Sequence, residues 1–310
     1  MERCAFTRLV HSDWSTTPSK RWLAEARRTS SGWLVDAPRL VGVLDDFLND
    51  LLGLPQPTLA GFDFPIGVPA AYARKAEISS FTELLEGLGA GVWSEFYRVC
   101  EENKEISLRR PFYPRVSSSK ARQVHLLAAL GVGDIDALRR ACERQTETRR
   151  AACSLFWTLG GNQVGKAAIS GWQSVLGPAK RGGAVLWPFE GDLAALSKAD
   201  RLVICETYPA EAYGHIGVRF APGASKQRQA DRRTATASLL TRSFKQGIQF
   251  SDAMRDDFAD GFGSARGGED PFDAAIGLLG MIEVVDGRRA AGPTQIEAAQ
   301  SEGWILGQAT

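Results

Sequence analysis

The chain has 310 residues, 44% of them hydrophobic and 24% charged, which is the balance of a globular protein with a sizeable core and, on length, about two domains. Its 37 lysines and arginines are matched by 36 aspartates and glutamates, which excludes binding to nucleic acid through bulk positive charge, so any phosphate contact must come from local clusters. The five scattered cysteines (Cys4, Cys100, Cys142, Cys153, Cys205) contain no Cys-x-x-Cys pair and argue against a disulfide framework or a zinc site. With no apolar signal core and no run near the ~20 apolar residues of a membrane span, the expectation is a cytoplasmic protein without a membrane partner.

Taken in order, Ala5–Ser12 alternates loosely and leads into Asp13, which predicts a strand ending on an acid. Lys20–Arg27 and Gly32–Asp36 read as two further strands across the polar turn Arg28–Ser31. Pro38–Leu52 places Leu40, Val41, Leu44, Phe47, Leu48 and Leu51 near a helical period, with Pro38 suited to a first turn. The apolar run Thr58–Phe62 reaches Asp63, and Pro65 and Gly67 then stop it. Proline has no N–H for the ladder, and glycine takes angles that other residues avoid. The product is a buried strand with an acid at its carboxyl end, the edge at which open α/β sheets bind ligands.

From Ala70 to Gly183 helical patterns replace strand patterns: Phe81–Leu88, Val92–Asn103, Gln123–Leu130, Ile135–Phe156 and Val164–Val175. Polar and proline-containing links such as Arg110–Pro114 and Ser117–Lys120 separate them. No long flexible linker flanks this stretch, so residues 70–183 read as a helical insertion between a first core segment, 1–69, and a second, 184–290, with a tail at 291–310. In the second segment Ala184–Trp187 resumes the sheet, Leu193–Leu196 is helix-like, and Arg201–Glu206 is a strand that again ends on a carboxylate. Lys226–Lys245 reads as one long basic helix. Glu269–Ile276 opens a last apolar helix, with Pro271 in its first turn and Asp270 expected as its N-cap.

Asp13, Asp63 and Glu206 at strand ends, with Asp273 one turn into that helix, form the main candidate site. Closely packed carboxylates raise one another's pKa unless a cation neutralises them. Mg²⁺ or Mn²⁺ is the expected partner, because both prefer oxygen ligands and can clamp the oxygens of a phosphodiester. Asp13, Asp63 and Asp273 are the expected metal ligands, and Glu206 a fourth acid at the site or behind it. Lys226 or Arg232 is expected to neutralise phosphate. Arg109, Arg110, Arg115, Lys120 and Arg122 flank Phe112 and Tyr113, a mixture suited to single-stranded nucleic acid, although a solvated face is the simpler account of each basic cluster alone. His11, two residues before Asp13, shares its face and is expected to be structural.

Three segments, Gly61-Phe62-Asp63-Phe64-Pro65-Ile66-Gly67, Glu206-Thr207-Tyr208-Pro209-Ala210 and Asp270-Pro271-Phe272-Asp273-Ala274, resemble the DUF429 family, and Trp187-Pro188-Phe189-Glu190-Gly191 belongs with them. The order of strands and helices looks like the ribonuclease H-like fold. The resemblance implies an α/β chain with a ribonuclease H-like mixed sheet flanked by helices, nuclease chemistry, and a nucleic acid or nucleotide-like phosphoester as partner. A competing signal is Gly160–Lys166, which matches G-x-x-x-x-G-K and would cradle phosphates with backbone N–H groups and Lys166. Ala167 follows where a hydroxyl should hold Mg²⁺, so a nucleotide-binding or phosphotransfer protein is the second expectation. A non-catalytic binding module of the same fold is the third.

Overall fold

The computed structural model describes residues 3–116, 121–147, 149–159, 164–237, 239–264, 267–293 and 299–309. Eight strands build one mixed sheet: β1 Arg8–Asp13, β2 Trp22–Thr29, β3 Gly32–Val35, β4 Arg39–Leu40, β5 Thr58–Phe62, β6 Val185–Leu186, β7 Leu202–Glu206 and β8 Ile248–Phe250. Their order is β6-β7-β5-β1-β2-β3-β8, with β4 pairing with β2. β1, β2 and β3 form an antiparallel meander, while β5, β7 and β6 continue outward from β1 in parallel. β5 and β7 are buried along their whole length, as strands covered on both faces must be, and their sequences are accordingly apolar runs without alternation. Ser12 pairs with Phe62 and Phe62 with Glu206, so β1, β5 and β7 end together at one edge.

The two faces are covered by different parts of the chain. On one, Leu9, Ala24, Leu59, Val203 and Cys205 cluster with Ala274, Leu278 and Met281 of the helix Glu269–Val285, which is buried from Pro271 onward. The helix Pro209–Ile216 packs on the same layer. On the other face, Val10, Ala60, Phe62, Leu186 and Ile204 cluster with Phe81, Phe112, Phe156, Trp172 and Val175. Residues 70–183 are therefore the cover of one sheet face and share its core. Among the described residues no helix is long and apolar enough to cross a membrane.

Several elements differ from expectation, each because the backbone finds distant partners. Val92–Asn103 and Ile135–Phe156 are not helices; their regular pieces are single 3₁₀ turns at Gly91–Trp93, Asn103–Glu105, Asp136–Leu138 and Ala141–Glu143. The Cys100 N–H donates to the Phe112 carbonyl at 2.7 Å and the Tyr113 N–H to Phe156 at 2.9 Å, while Ala152 reaches Glu143 at 2.8 Å. Pro38–Leu52 divides into β4 and a helix that begins at Leu44. The expected helix Lys226–Lys245 becomes Gln229–Thr236 and Leu239–Lys245, leaving Lys226 in the preceding turn. β8 and the helices Pro209–Ile216 and Asp252–Asp260 have no counterpart in the sequence expectation. The link Ser117–Lys120 and residues 160–163 of the glycine-rich loop lie outside the described residues.

Candidate acidic site at the carboxyl edge of the sheet

Register decides which acids meet. Ser12, Phe62 and Glu206 are paired across the strands and share a face, so Asp13 and Asp63, one residue further on, turn to the opposite face. That is the face covered by Glu269–Val285, and Asp273 lies in the first turns of this helix. Its close approach depends on Gly277, where a β-carbon would lie 2.2 Å from the His11 ring. His11 is fully buried: its Nδ1–H donates to the Ala274 carbonyl at 3.0 Å, and its Nε2 accepts from the Thr207 hydroxyl at 2.9 Å. Burial lowers its pKa to about 3, so it remains neutral and clamps helix to sheet.

The acids perturb one another. Burial raises Asp63 to about 7, with the Asp273 charge adding to it and hydrogen bonds from the Trp14 N–H (2.7 Å) and Asp13 opposing it. Asp13 is pushed well above the carboxylate range, first by burial and then by the charges of Asp63, Asp273 and Asp270. Asp273 is 6% exposed; burial raises its pKa, and Lys226 and Tyr213 oppose that. Its Oδ1 accepts the Tyr213 hydroxyl and its Oδ2 the Lys226 ammonium at 2.5 Å. The same ammonium lies 2.9 Å from Glu269 Oε1. Burial opposes the charge on Lys226, but Asp273 and Glu269 hold its pKa above the ordinary value. Among the described residues, no three His, Cys, Asp or Glu side chains are arranged to hold a metal ion.

The other expected site residues fall elsewhere. Glu206 points to the opposite face, where its two oxygens each take a guanidinium nitrogen of the fully buried Arg140 at 2.6 Å and Oε2 also accepts the Ile66 N–H at 2.7 Å. It is one end of a buried ion pair that includes Glu143, and it does not join the other acids. Arg232 is likewise fully buried, donating to the carbonyls of Gly261, Lys226 and Gly263, so its guanidinium faces peptide oxygens and not a phosphate. Asp270 is not the N-cap: the helix starts at Glu269 after Gly268, and Asp270 occupies its first turn, with its pKa raised by burial. Lys166 lies in the first turn of Val164–Gly171, one turn before Ser170, whose hydroxyl is 3.3 Å from the Trp14 indole nitrogen on the sheet face away from Asp13. Gly165 is accounted for by packing, since a β-carbon there would lie 2.6 Å from the Leu155 carbonyl.

Two contributors carried no expectation. Tyr213 sits on Pro209–Ile216, a helix whose start was signalled by a proline suited to the first turn. The Trp14 N–H that orients Asp63 is a backbone group, which no side-chain pattern announces. Compared with known proteins, the chain matches no family model, no curated protein and no solved structure.

Proposed function

We propose that this chain is a divalent-metal-dependent phosphodiester hydrolase of ribonuclease H-like architecture, with Asp13, Asp63 and Asp273 as ligands of Mg²⁺ or Mn²⁺. The observation that carries the proposal is the delivery of Asp13, Asp63 and Asp273 to one sheet edge by β1, the end of β5 and the buried helix, with Asp273 adding to the raised pKa of both Asp13 and Asp63. Without an ion the three are not arranged, among the described residues, as ligands of one metal, and Asp273 is neutralised by Lys226. An all-oxygen donor set in repulsion is what a hard divalent cation relieves. The meander β3-β2-β1, extended in parallel by β5 and β7, agrees with the ribonuclease H-like likeness. Two of the segments that resemble DUF429 supply Asp63 and Asp273; the third supplies Glu206 and the start of the helix that carries Tyr213.

When bound, the ion would lower the pKa of a water and carry charge on the leaving oxygen. The residues around it have separate tasks. The Trp14 N–H fixes one oxygen of Asp63, and the Tyr213 hydroxyl fixes one oxygen of Asp273. His11 and Gly277 hold the helix close enough for Asp273 to face Asp13. The substrate is a nucleic acid or a smaller nucleotide-like phosphoester. Cys4, Cys100, Cys142 and Cys205 are buried and Cys153 is exposed, a scattered placement that favours a reducing cytoplasm. The test is Mn²⁺-dependent cleavage of single-stranded nucleic acid and of a small phosphodiester. Activity should be lost in Asp63→Asn and Asp273→Asn with the circular dichroism spectrum unchanged, and wild-type rates in Asp63→Asn would refute the assignment.

A further inference from the structure

We infer that Arg21, together with Ser170 and Lys166, holds a phosphate group of the substrate beside the acidic site. This deepens the phosphodiester reading above and takes from it the identity of the molecule that bears the phosphate. Four arginines are buried among the described residues: Arg8, Arg21, Arg140 and Arg232. Three of them are answered within the fold. Arg8 meets Glu25 at 2.8 Å and Asp50 at 2.5 Å, Arg140 meets Glu143 and Glu206, and Arg232 donates to three carbonyls. Arg21, only 6% exposed, is the exception. Its Nε donates to the Ser15 carbonyl at 2.6 Å and its Nη2 to the Ser170 hydroxyl at 3.3 Å, and no carboxylate among the described residues pairs with it. Its Nη1 donates to no described residue and is not sealed from solvent. A covered guanidinium without a counter-charge is costly, and an anion arriving from solvent supplies that charge.

Placement and chemistry make that anion a phosphate. Arg21 lies one residue before β2, and its guanidinium stacks over the Trp14 ring at 4.3 Å. The Trp14 backbone N–H is the group that fixes Asp63, so one residue carries the cation on its ring and orients an acid with its N–H. Trp14 packs with the cover side of the sheet, whereas Asp13 and Asp63 turn to the other side, which keeps Arg21 from pairing with acids at the same edge. The Ser170 hydroxyl lies 3.3 Å from both the Trp14 indole nitrogen and Arg21 Nη2. Lys166 is half-buried and precedes Ser170 by four residues in the helix Val164–Gly171, so the two share one face. A guanidinium fork, a hydroxyl and an ammonium suit the several oxygens of a phosphate better than the two of a carboxylate. A clamp that only joined Ser15 to Ser170 would be served by a neutral donor and would not need the charge.

The experiment is calorimetric titration of the full chain with inorganic phosphate and with a short oligothymidylate, both in EDTA. The proteins are the wild type, Arg21→Gln, Lys166→Gln, Ser170→Ala and Arg255→Gln, the last an exposed arginine of Asp252–Asp260 that controls for net charge. Both ligands should bind the wild type. Arg21→Gln should weaken each at least about tenfold and Lys166→Gln about threefold, while Arg255→Gln changes neither. Phosphate should also raise the melting temperature of the wild type and leave that of Arg21→Gln unmoved, a difference that a merely structural clamp does not produce. If Arg21→Gln fails to fold, weakened binding in Lys166→Gln and Ser170→Ala carries the test. A wild type that binds neither ligand, or variants that bind as tightly as it does, overturns the inference; cleavage with an unchanged KM in those variants would leave the hydrolase reading standing without it. Arg21-dependent phosphate binding in a protein that cleaves no phosphodiester would keep the anion site and sink the hydrolase reading.

Discussion

Asp63 holds its proton to about 7, whereas an exposed aspartate loses it near 3.8. Between those values the folded chain binds more protons at this position than the unfolded chain. Stability therefore falls as pH rises through that window and is fully present below it. In metal-free buffer the melting temperature should drop as pH rises from 3.8 to about 7 and level off above it, and the drop should shrink in Asp63→Asn; parallel profiles for the two proteins would contradict the assignment. Glu206 should behave differently. Glu206→Ala leaves the Arg140 guanidinium buried with fewer partners, which costs about 3–5 kcal/mol in a urea titration by analogy with broken buried pairs. Mn²⁺ affinity should be unchanged, because Glu206 faces away from Asp13. Asp13 and Asp63 were legible in the sequence because a strand that stops abruptly on an acid announces itself. The separation of Glu206 from them was not. It depends on a one-residue register between strands far apart in the chain, and neighbouring registers place the same side chain on opposite faces.

At the scale of elements, the contact between β1 and the helix Glu269–Val285 positions the site. Gly277→Ala would drive a β-carbon into the His11 ring and should destabilise the fold by about 1–3 kcal/mol, the usual range for overpacking. It should also weaken Mn²⁺ binding by displacing Asp273 from the strand ends; destabilisation with unaltered metal affinity would mean that the helix position does not set the site. The central strands and this helix were readable because burial on all sides gives unbroken apolar runs. The 70–183 cover was readable only as non-strand. Its apolar residues recur at spacings that suit a helix, yet Cys100, Tyr113 and Ala152 find backbone partners across the segment, a choice that local propensity does not contain. Lys226 was expected on a helix for the same reason: basic side chains continue the pattern across Ser225–Arg228, where Asp231 accepts the Ser225 N–H and the Arg228 side chain and holds a turn ahead of the helix.

Across the whole molecule, residues 299–309 join the two layers. Val68 N–H donates to the Ser301 carbonyl at 2.7 Å, Glu302 accepts the N–H groups of Ala70 and Ala141, and Leu306 N–H reaches the Glu206 carbonyl at 2.9 Å. Trp304, Ile305 and Leu306 are buried, and each such side chain is worth about 1.5–3 kcal/mol. Removing residues 299–310 should therefore lower the urea midpoint sharply or abolish the cooperative transition, and an unshifted midpoint would show the tail to be dispensable. The Arg140–Glu206 pair meets the Glu302 carbonyl at the same junction, 3.2 Å from Arg140. This gives the fold a direction in time. On the ribosome, β1, β5, the cover and β7 are all made before Ser301 and Glu302 emerge. Until then the N–H groups of Val68, Ala70 and Ala141 wait on water, and the junction between the layers stays open. A nascent chain should thus resist protease in its sheet well before it does so at the Ile66–Ala70 bend, which closes only when its last partners arrive.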